Sequence, residues 1–247
     1  MYTDSEGIIL KQIKIVSGRR IILLFSSKYG KISAGTSINE RGKNKSALAL
    51  RPFTRGRYEL FKNKDTYNLN GAETLQSFYS LGEDVDKYMT ASYALVLTER
   101  LLPEDEPFAA MYSLLCDFLS MLEKRRKSCE TLLIGYMIKA LTLSGSGMQL
   151  NRCVKCGSEG PFSAISVEGG GVICKDCNCV SEGLNPLIFE LSDDIINAVQ
   201  FIENHPLKSL ETLALPDESE RKLKRVLRSY YSYHLGIENL KSEGLRI

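Results

Sequence analysis

Two Cys-x-x-Cys pairs, Cys153 with Cys156 and Cys174 with Cys177, stand seventeen residues apart in a 247-residue chain that has only two histidines. Each pair turns two thiolates to one side of a short loop, and two such turns complete the tetrahedron of sulfurs that suits Zn²⁺. Four cysteines fill every coordination position, whereas a catalytic zinc keeps one open, so the spacing predicts one structural Zn²⁺. Gly157 and Gly169–Gly171 supply the turns that such a knuckle needs, and Phe162, Ile165, Val167, Val172 and Ile173 form a small hairpin between the pairs. A pair of disulfides is the competing reading. The chain opens without the charged n-region and apolar h-region of a secretory signal, which predicts the reducing cytoplasm and favours the metal. Cys179 stands two residues past Cys177 as a rival ligand, although Cys174 to Cys177 matches the first pair better. Cys116 and Cys129 fall in helical patterns and read as buried thiols.

No apolar run approaches the ~20 residues of a membrane span, so a soluble protein is expected. The net charge of +2 hides a strong pattern. Residues 1 to 71 carry fourteen Lys or Arg against five Asp or Glu, residues 72 to 118 two against nine, and residues 181 to 220 one against nine. The last twenty-seven residues return to +5. A basic front end of this kind suits a polyanion.

That front end reads as β structure. Residues 7–16, 20–26, 31–39, 47–54, 57–63 and 66–70 are short β-branched or aromatic runs broken by Gly, Asn, Ser and Lys. Five or six short strands fit a small closed barrel, with an OB-type barrel the first candidate and an SH3-like barrel indistinguishable from it by pattern. The loop from Glu40 to Ser46 carries Arg41, Lys43 and Lys45 spaced by Gly and Asn, which suits a sugar-phosphate backbone. Arg19, Arg20, Lys28, Lys31, Arg51, Arg55 and Arg57 border the other turns and strands and complete the candidate nucleic-acid-binding set. Tyr29, Phe53 and Tyr58 are candidate base-stacking rings, the last two serving equally well as barrel filling.

Helices follow. Residues 84–102 place Val85, Tyr88, Met89, Leu95, Val96 and Leu102 on one face, and 108–122 place Met111, Tyr112, Leu115, Phe118, Leu119 and Leu122. Ser128 caps a third helix with Leu132, Leu133, Tyr136, Met137, Ala140 and Leu141, which stops at Gly145–Gly147. Ser192 starts a fourth, and Pro216 opens a last long helix with Leu223, Val226, Leu227, Tyr230, Tyr231 and His234 on one side. The expected fold class is therefore α+β, an N-terminal barrel at 1–72 and helical regions at 73–150 and 181–247 around a Cys₄ module at 151–180. Phosphate loops, nucleophile elbows, zinc-protease helices and dinucleotide fingerprints are all absent, and neither His205 nor His234 sits as a base would. The chain reads as a non-enzyme.

EGIILK at 6–11, FSSKYGK at 25–31, LRPFT at 50–54, CVKCG at 153–157, GGG at 169–171, CKDC at 174–177 and HLGIENLKS at 234–242 follow one another across nearly the whole chain. In that order they resemble the RecO family of recombination mediators in bacterial DNA repair. The loop at 15–19 departs from the family, which often carries an acidic residue there. The resemblance implies an OB barrel and a helical domain with a zinc module, held by Cys153, Cys156, Cys174 and Cys177. It also implies binding to single- and double-stranded DNA without sequence specificity, strand annealing, and contact with the acidic tail of single-strand-binding protein. Together with RecR, such a protein helps load the RecA recombinase. Some members lack the cysteines, which makes the metal scaffold. Lys124–Lys127 or the basic residues from Lys222 to Arg228 would rim a groove for the acidic tail.

Two other readings compete. A zinc-bearing deacylase would need a Gly-rich strand-helix turn and a catalytic histidine within alternating strands and helices, and this chain places strands first. A zinc-stabilised protein-interaction adaptor without direct DNA binding would share the fold, and an oligonucleotide titration separates it.

Overall fold

The computed structural model describes residues 1–14, 20–38, 45–64, 66–179 and 185–238, apart from the side chains of Lys14, Lys45 and Cys179. These residues fall into two compact units, 1–123 and 124–238.

In the first unit, β1 (Tyr2–Lys14), β2 (Arg20–Ser26), β3 (Gly30–Thr36), β4 (Thr54–Asn63) and β5 (Thr66–Ser77) close into a barrel in the order β1-β2-β3-β5-β4. Closure comes from a parallel pairing of Ala34 with Tyr67 and Gly35 with Asn68, all other pairs being antiparallel. This five-stranded topology is that of an OB-type barrel and sets aside the SH3-like alternative. Alternation explains the strands. On β4, Thr54, Gly56, Tyr58 and Leu60 point inward while Arg57 and Glu59 face solvent. Ile9, Ile22, Leu24, Ile32, Ala34, Tyr58, Leu60, Tyr67 and Leu69 make the core with Leu50.

Leu50 marks a correction. The expected strand at 47–54 is instead a short helix, α1 (Lys45–Ala49), followed by a turn. Ser-Ala-Leu-Ala alternates as a strand does, but Ala and Leu favour helix, and the helix end pushes Ala49 and Leu50 into the barrel as a plug. The Tyr58 hydroxyl secures it by donating to the Ala49 carbonyl at 2.8 Å. The first strand also begins earlier than expected, at Tyr2, because its polar start pairs with the end of β4.

The same unit holds α2 (Val85–Leu101) and α3 (Ala109–Lys124). Asp84 caps α2 by accepting from the N–H groups of Asp86 and Lys87. Its buried face is a second correction, being Thr90, Ala91, Ser92, Ala94, Leu95, Leu97 and Thr98, while Val85 and Met89 are exposed. Small residues allow close packing, and Ser92 and Thr98 satisfy their hydroxyls on the carbonyls of Tyr88 and Ala94 at 2.7 and 2.6 Å. The face of α3 falls where the periodicity places it, with Met111, Leu115, Phe118, Leu119 and Leu122 fully buried. Gly30 has φ +71°, and a side chain there would collide with the Glu106 carbonyl, so the turn into β3 needs glycine to lie against the loop after α2.

The second unit is built around α4 (Cys129–Leu143), capped by Ser128 as expected and buried on all sides from Thr131 to Ile138. Packed on it are α6 (Asp193–Asn204), the turn at Leu207–Leu210 and α7 (Asp217–Leu235). Gly135 lets Leu210 approach, since a Cβ there would collide with its Cδ1. Between α4 and α6, β6 (Phe162–Ser166), β7 (Gly171–Cys174) and β8 (Ile188–Glu190) form a sheet in the order β7-β6-β8, with α5 (Lys175–Cys179) after β7.

Candidate metal centre and nucleic-acid surface

The two cysteine pairs are positioned by different devices. Cys153 and Cys156 ride on a turn in which the Gly157 N–H donates to the Cys153 carbonyl at 2.8 Å and the Cys153 N–H to the Ser158 carbonyl at 2.7 Å. A bond from the Val154 N–H to the Val172 carbonyl, 2.9 Å, pins that turn to β7. Gly157 takes φ +81°, as a turn doubling back toward a metal requires. Cys174 ends β7 and Cys177 lies in α5, so strand and helix fix the second pair.

All four sulfurs lie within 4.8 Å of one another, and Cys156 Sγ is 3.6 Å from Cys174 Sγ. A disulfide requires about 2.05 Å. A tetrahedral ion about 2.3 Å from each sulfur sets the sulfurs roughly 3.8 Å apart, so the set fits a metal and not a bonded pair. Burial raises the Cys153 thiol, but N–H donors from Cys174, Cys156 and Lys155 outweigh it and bring the group down to about 6. Cys177 moves the other way, pushed up by hydrogen bonds with the sulfurs of Cys156 and Cys174. A metal ion would take these sulfurs as thiolates, so its binding releases protons. The Cys179 side chain, the rival ligand of the sequence, lies outside the described residues.

Helix α7 holds the far end of this knuckle. His234 Nε2 lies 2.6 Å from the Val167 carbonyl, and the Tyr230 hydroxyl donates to the Gly170 carbonyl at 3.3 Å. The two rings pack at 4.2 Å. His234 is thus a fastening, and His205 closes α6 with Nδ1 2.8 Å from the Phe201 carbonyl. Nothing about either places it as a base.

The barrel's candidate cations divide into three groups. Arg20 is buried and donates to the Ile38 carbonyl. Lys31 reaches Glu104 at 2.9 Å and the Glu99 carbonyl at 3.1 Å, and Arg55 pairs with Glu6 at 2.7 Å. Its hydrogen bond to Glu6 raises the Arg55 guanidinium above its ordinary value. Lys28, Arg51 and Arg57 are exposed, Arg57 lying a loose 4.0 Å from Glu73. Arg19, Arg41 and Lys43 lie outside the described residues, as does the side chain of Lys45.

Of the candidate stacking rings, Tyr58 and Phe53 are buried, Phe53 edge-on to Tyr88 at 5.7 Å, while Tyr29 is half-buried. A pair that the sequence pattern did not single out lies on the outer face instead, Tyr2 exposed and Phe61 half-buried. Tyr2 and Phe61 are cross-strand neighbours on the outside of β1 and β4, their rings 4.8 Å apart. Only the closure of β1 on β4 brings them together; a terminal strand residue carries no local signal of its partner.

The basic clusters of the second unit are also partly engaged. Arg125 is a correction to the expected rim, being 6% exposed and donating to the carbonyls of Ser128, Leu210, Glu211 and Leu213. Burial lowers its guanidinium below the ordinary value, and the four carbonyls compensate for its loss of water. Lys127 reaches the Thr212 carbonyl at 2.6 Å, and Lys224 pairs with Glu130 at 2.5 Å. Lys124, Arg126, Arg225 and Arg228 are exposed. Among the described residues, no helix is long and apolar enough to cross a membrane.

Comparison with known proteins matches residues 1–78 to the family described as Recombination protein O N terminal and residues 82–244 to Recombination protein O C terminal. The DNA repair protein RecO of Alkaliphilus metalliredigens is 27% identical over 98% of this chain and 97% of its own length. Those of Caldanaerobacter subterraneus and Pelotomaculum thermopropionicum are 26% and 28% identical, covering 96% and 94% of this chain and 94% and 88% of their own lengths.

Proposed function

This chain belongs to the RecO family of DNA repair proteins, and on that premise we propose that it is a non-enzymatic recombination mediator. In this reading it binds single- and double-stranded DNA without sequence preference, anneals complementary strands, and helps load recombinase onto DNA coated by single-strand-binding protein. Its partners would be RecR and the acidic tail of single-strand-binding protein, with RecA downstream, in the cytoplasm at the nucleoid. The observation that carries the reading is the joining of a basic OB-type barrel to a helical unit in a chain that both halves of the family match.

The metal would be one Zn²⁺ held by Cys153, Cys156, Cys174 and Cys177, supplying cross-linking and no open coordination position. DNA would lie on the barrel, with phosphates on Lys28, Arg51 and Arg57 and on the loop cations Arg19, Arg41, Lys43 and Lys45. Arg20, Lys31 and Arg55 already have acceptors of their own, which leaves them a supporting role in the barrel. The same engagement favours a second reading, an adaptor whose barrel does not touch DNA.

Annealing of complementary labelled oligonucleotides separates the two. A mediator accelerates pairing, and replacing Arg41, Lys43 and Lys45 together by Ala weakens binding to every sequence alike and slows annealing with it. No acceleration by the wild-type chain selects the adaptor. Normal binding and annealing by the triple variant moves the DNA site off that loop.

A further inference from the structure

The ring pair on the barrel's outer face takes no part in its core. Tyr2 is 76% exposed, and its register partner Phe61 is half-buried beside it. Both stand on the outer face of β1 and β4, away from the core that Tyr58, Leu60 and Leu69 fill.

The surroundings of the pair are of two kinds. Along the same outer face the next register pair is Asp4 with Glu59, both exposed, which repels phosphate from that side. Near the end of β4 Lys62 lies on the opposite face, its Nζ 5.1 Å from the centre of the Tyr67 ring, and the turn from β4 to β5 carries exposed Lys64. The turn from β2 to β3 adds exposed Lys28, whose Nζ is 3.3 Å from the Asp4 carbonyl. Rings bordered by lysines on the turns and carboxylates on the strand can orient a polyanion that has flat, uncharged groups along one edge.

Single-stranded DNA has that form. We propose that Tyr2 and Phe61 are a base-stacking platform for single-stranded DNA, with Lys64 on the neighbouring turn taking an adjoining phosphate. The inference rests on the reading that the barrel binds nucleic acid, and it names which rings do so. Stacking accepts any base, since each has a π face, and so suits binding without sequence preference. Duplex DNA hides its base faces, so the platform discriminates for single strands while the loop cations treat both forms alike.

The chain contains no tryptophan, so Phe61→Trp installs a single reporter in the pair. Oligothymidylate should quench its emission, and inorganic polyphosphate, which has the charge but no bases, should not. Tyr2→Ala and Phe61→Leu should each weaken oligothymidylate about ten-fold while leaving the dependence of affinity on salt unchanged, because no phosphate contact is lost. Both positions lie outside the core, and Phe61→Leu keeps apolar bulk on the strand, so an unaltered unfolding curve separates stacking from folding. Unquenched tryptophan with full affinity in both variants overturns the platform and leaves DNA binding by the barrel standing. Failure of the wild-type chain to bind oligothymidylate at all overturns the reading of the barrel, and the platform with it.

Discussion

Side chains from every strand fill the barrel, Ile9 from β1, Leu24 from β2, Ile32 from β3, Tyr58 from β4 and Leu69 from β5, whereas the cysteine knuckle converges four sulfurs on one point. In the barrel each residue contributes a small share of a distributed burial, and neighbours relax when one is lost. In the knuckle four donors act as one unit, and three of them do not hold three-quarters of the metal's free energy. In the proposed function the roles divide along the same line. The barrel keeps its outer surface available for a ligand because its shape comes from inside, while the knuckle spends its polar groups on holding itself.

The contrast predicts where damage is largest. Cys174→Ser should drop bound zinc from about one per chain to none and remove on the order of 10 kcal/mol from the second unit. Elemental analysis of the purified protein together with an unfolding curve checks it, and the barrel's transition should stay in place. Stoichiometric zinc retained by Cys174→Ser would break the comparison, as would a wild-type chain that carries no metal. Leu24→Ala should do less, about 3 kcal/mol on the first unit alone, as a buried leucine loses its contacts and leaves a cavity. Smaller still is His234→Ala, expected to cost about 1 kcal/mol by releasing the Val167 carbonyl, with zinc stoichiometry unchanged. Loss of zinc in that variant would show that the fastening to α7 belongs to the metal site.

A pH effect sharpens the comparison at the small end. Burial raises the Glu203 carboxyl above its ordinary range, against the pull of Thr142 and Lys139. Above the raised value the folded chain carries a carboxylate that the unfolded chain solvates better, so the stability present at low pH is lost as pH rises through it. Glu203→Gln should therefore raise the melting temperature slightly at neutral pH and leave it unchanged below the ordinary glutamate range. A gain that persists in acid would assign the effect to packing.

Strand alternation and helical spacing were enough to read most elements, because burial on one face imposes a period of two or 3.6 on the residues themselves. The cysteine spacing was equally local, and all four sulfurs meet. What local pattern could not carry was pairing between distant residues. Lys31 looks like a phosphate ligand until Glu104 and the Glu99 carbonyl arrive from another element, and Arg125 looks like surface until four carbonyls surround it. Val85 and Met89 looked like core because apolar residues usually are, but α2 packs through Ala, Ser and Thr whose hydroxyls bond within the helix. The outer ring pair was illegible for the same reason as Lys31, since register alone joins Tyr2 to Phe61.

In the proposed function the barrel grips a polyanion through several exposed cations while the knuckle serves as scaffold. The most direct test is the affinity of the full, zinc-loaded chain for a labelled single-stranded oligonucleotide across a series of salt concentrations. With about five phosphates contacted, log K should fall against log salt with a slope near −3.5, each contact contributing roughly −0.7. A slope near zero, or no binding at the lowest salt, would contradict the account.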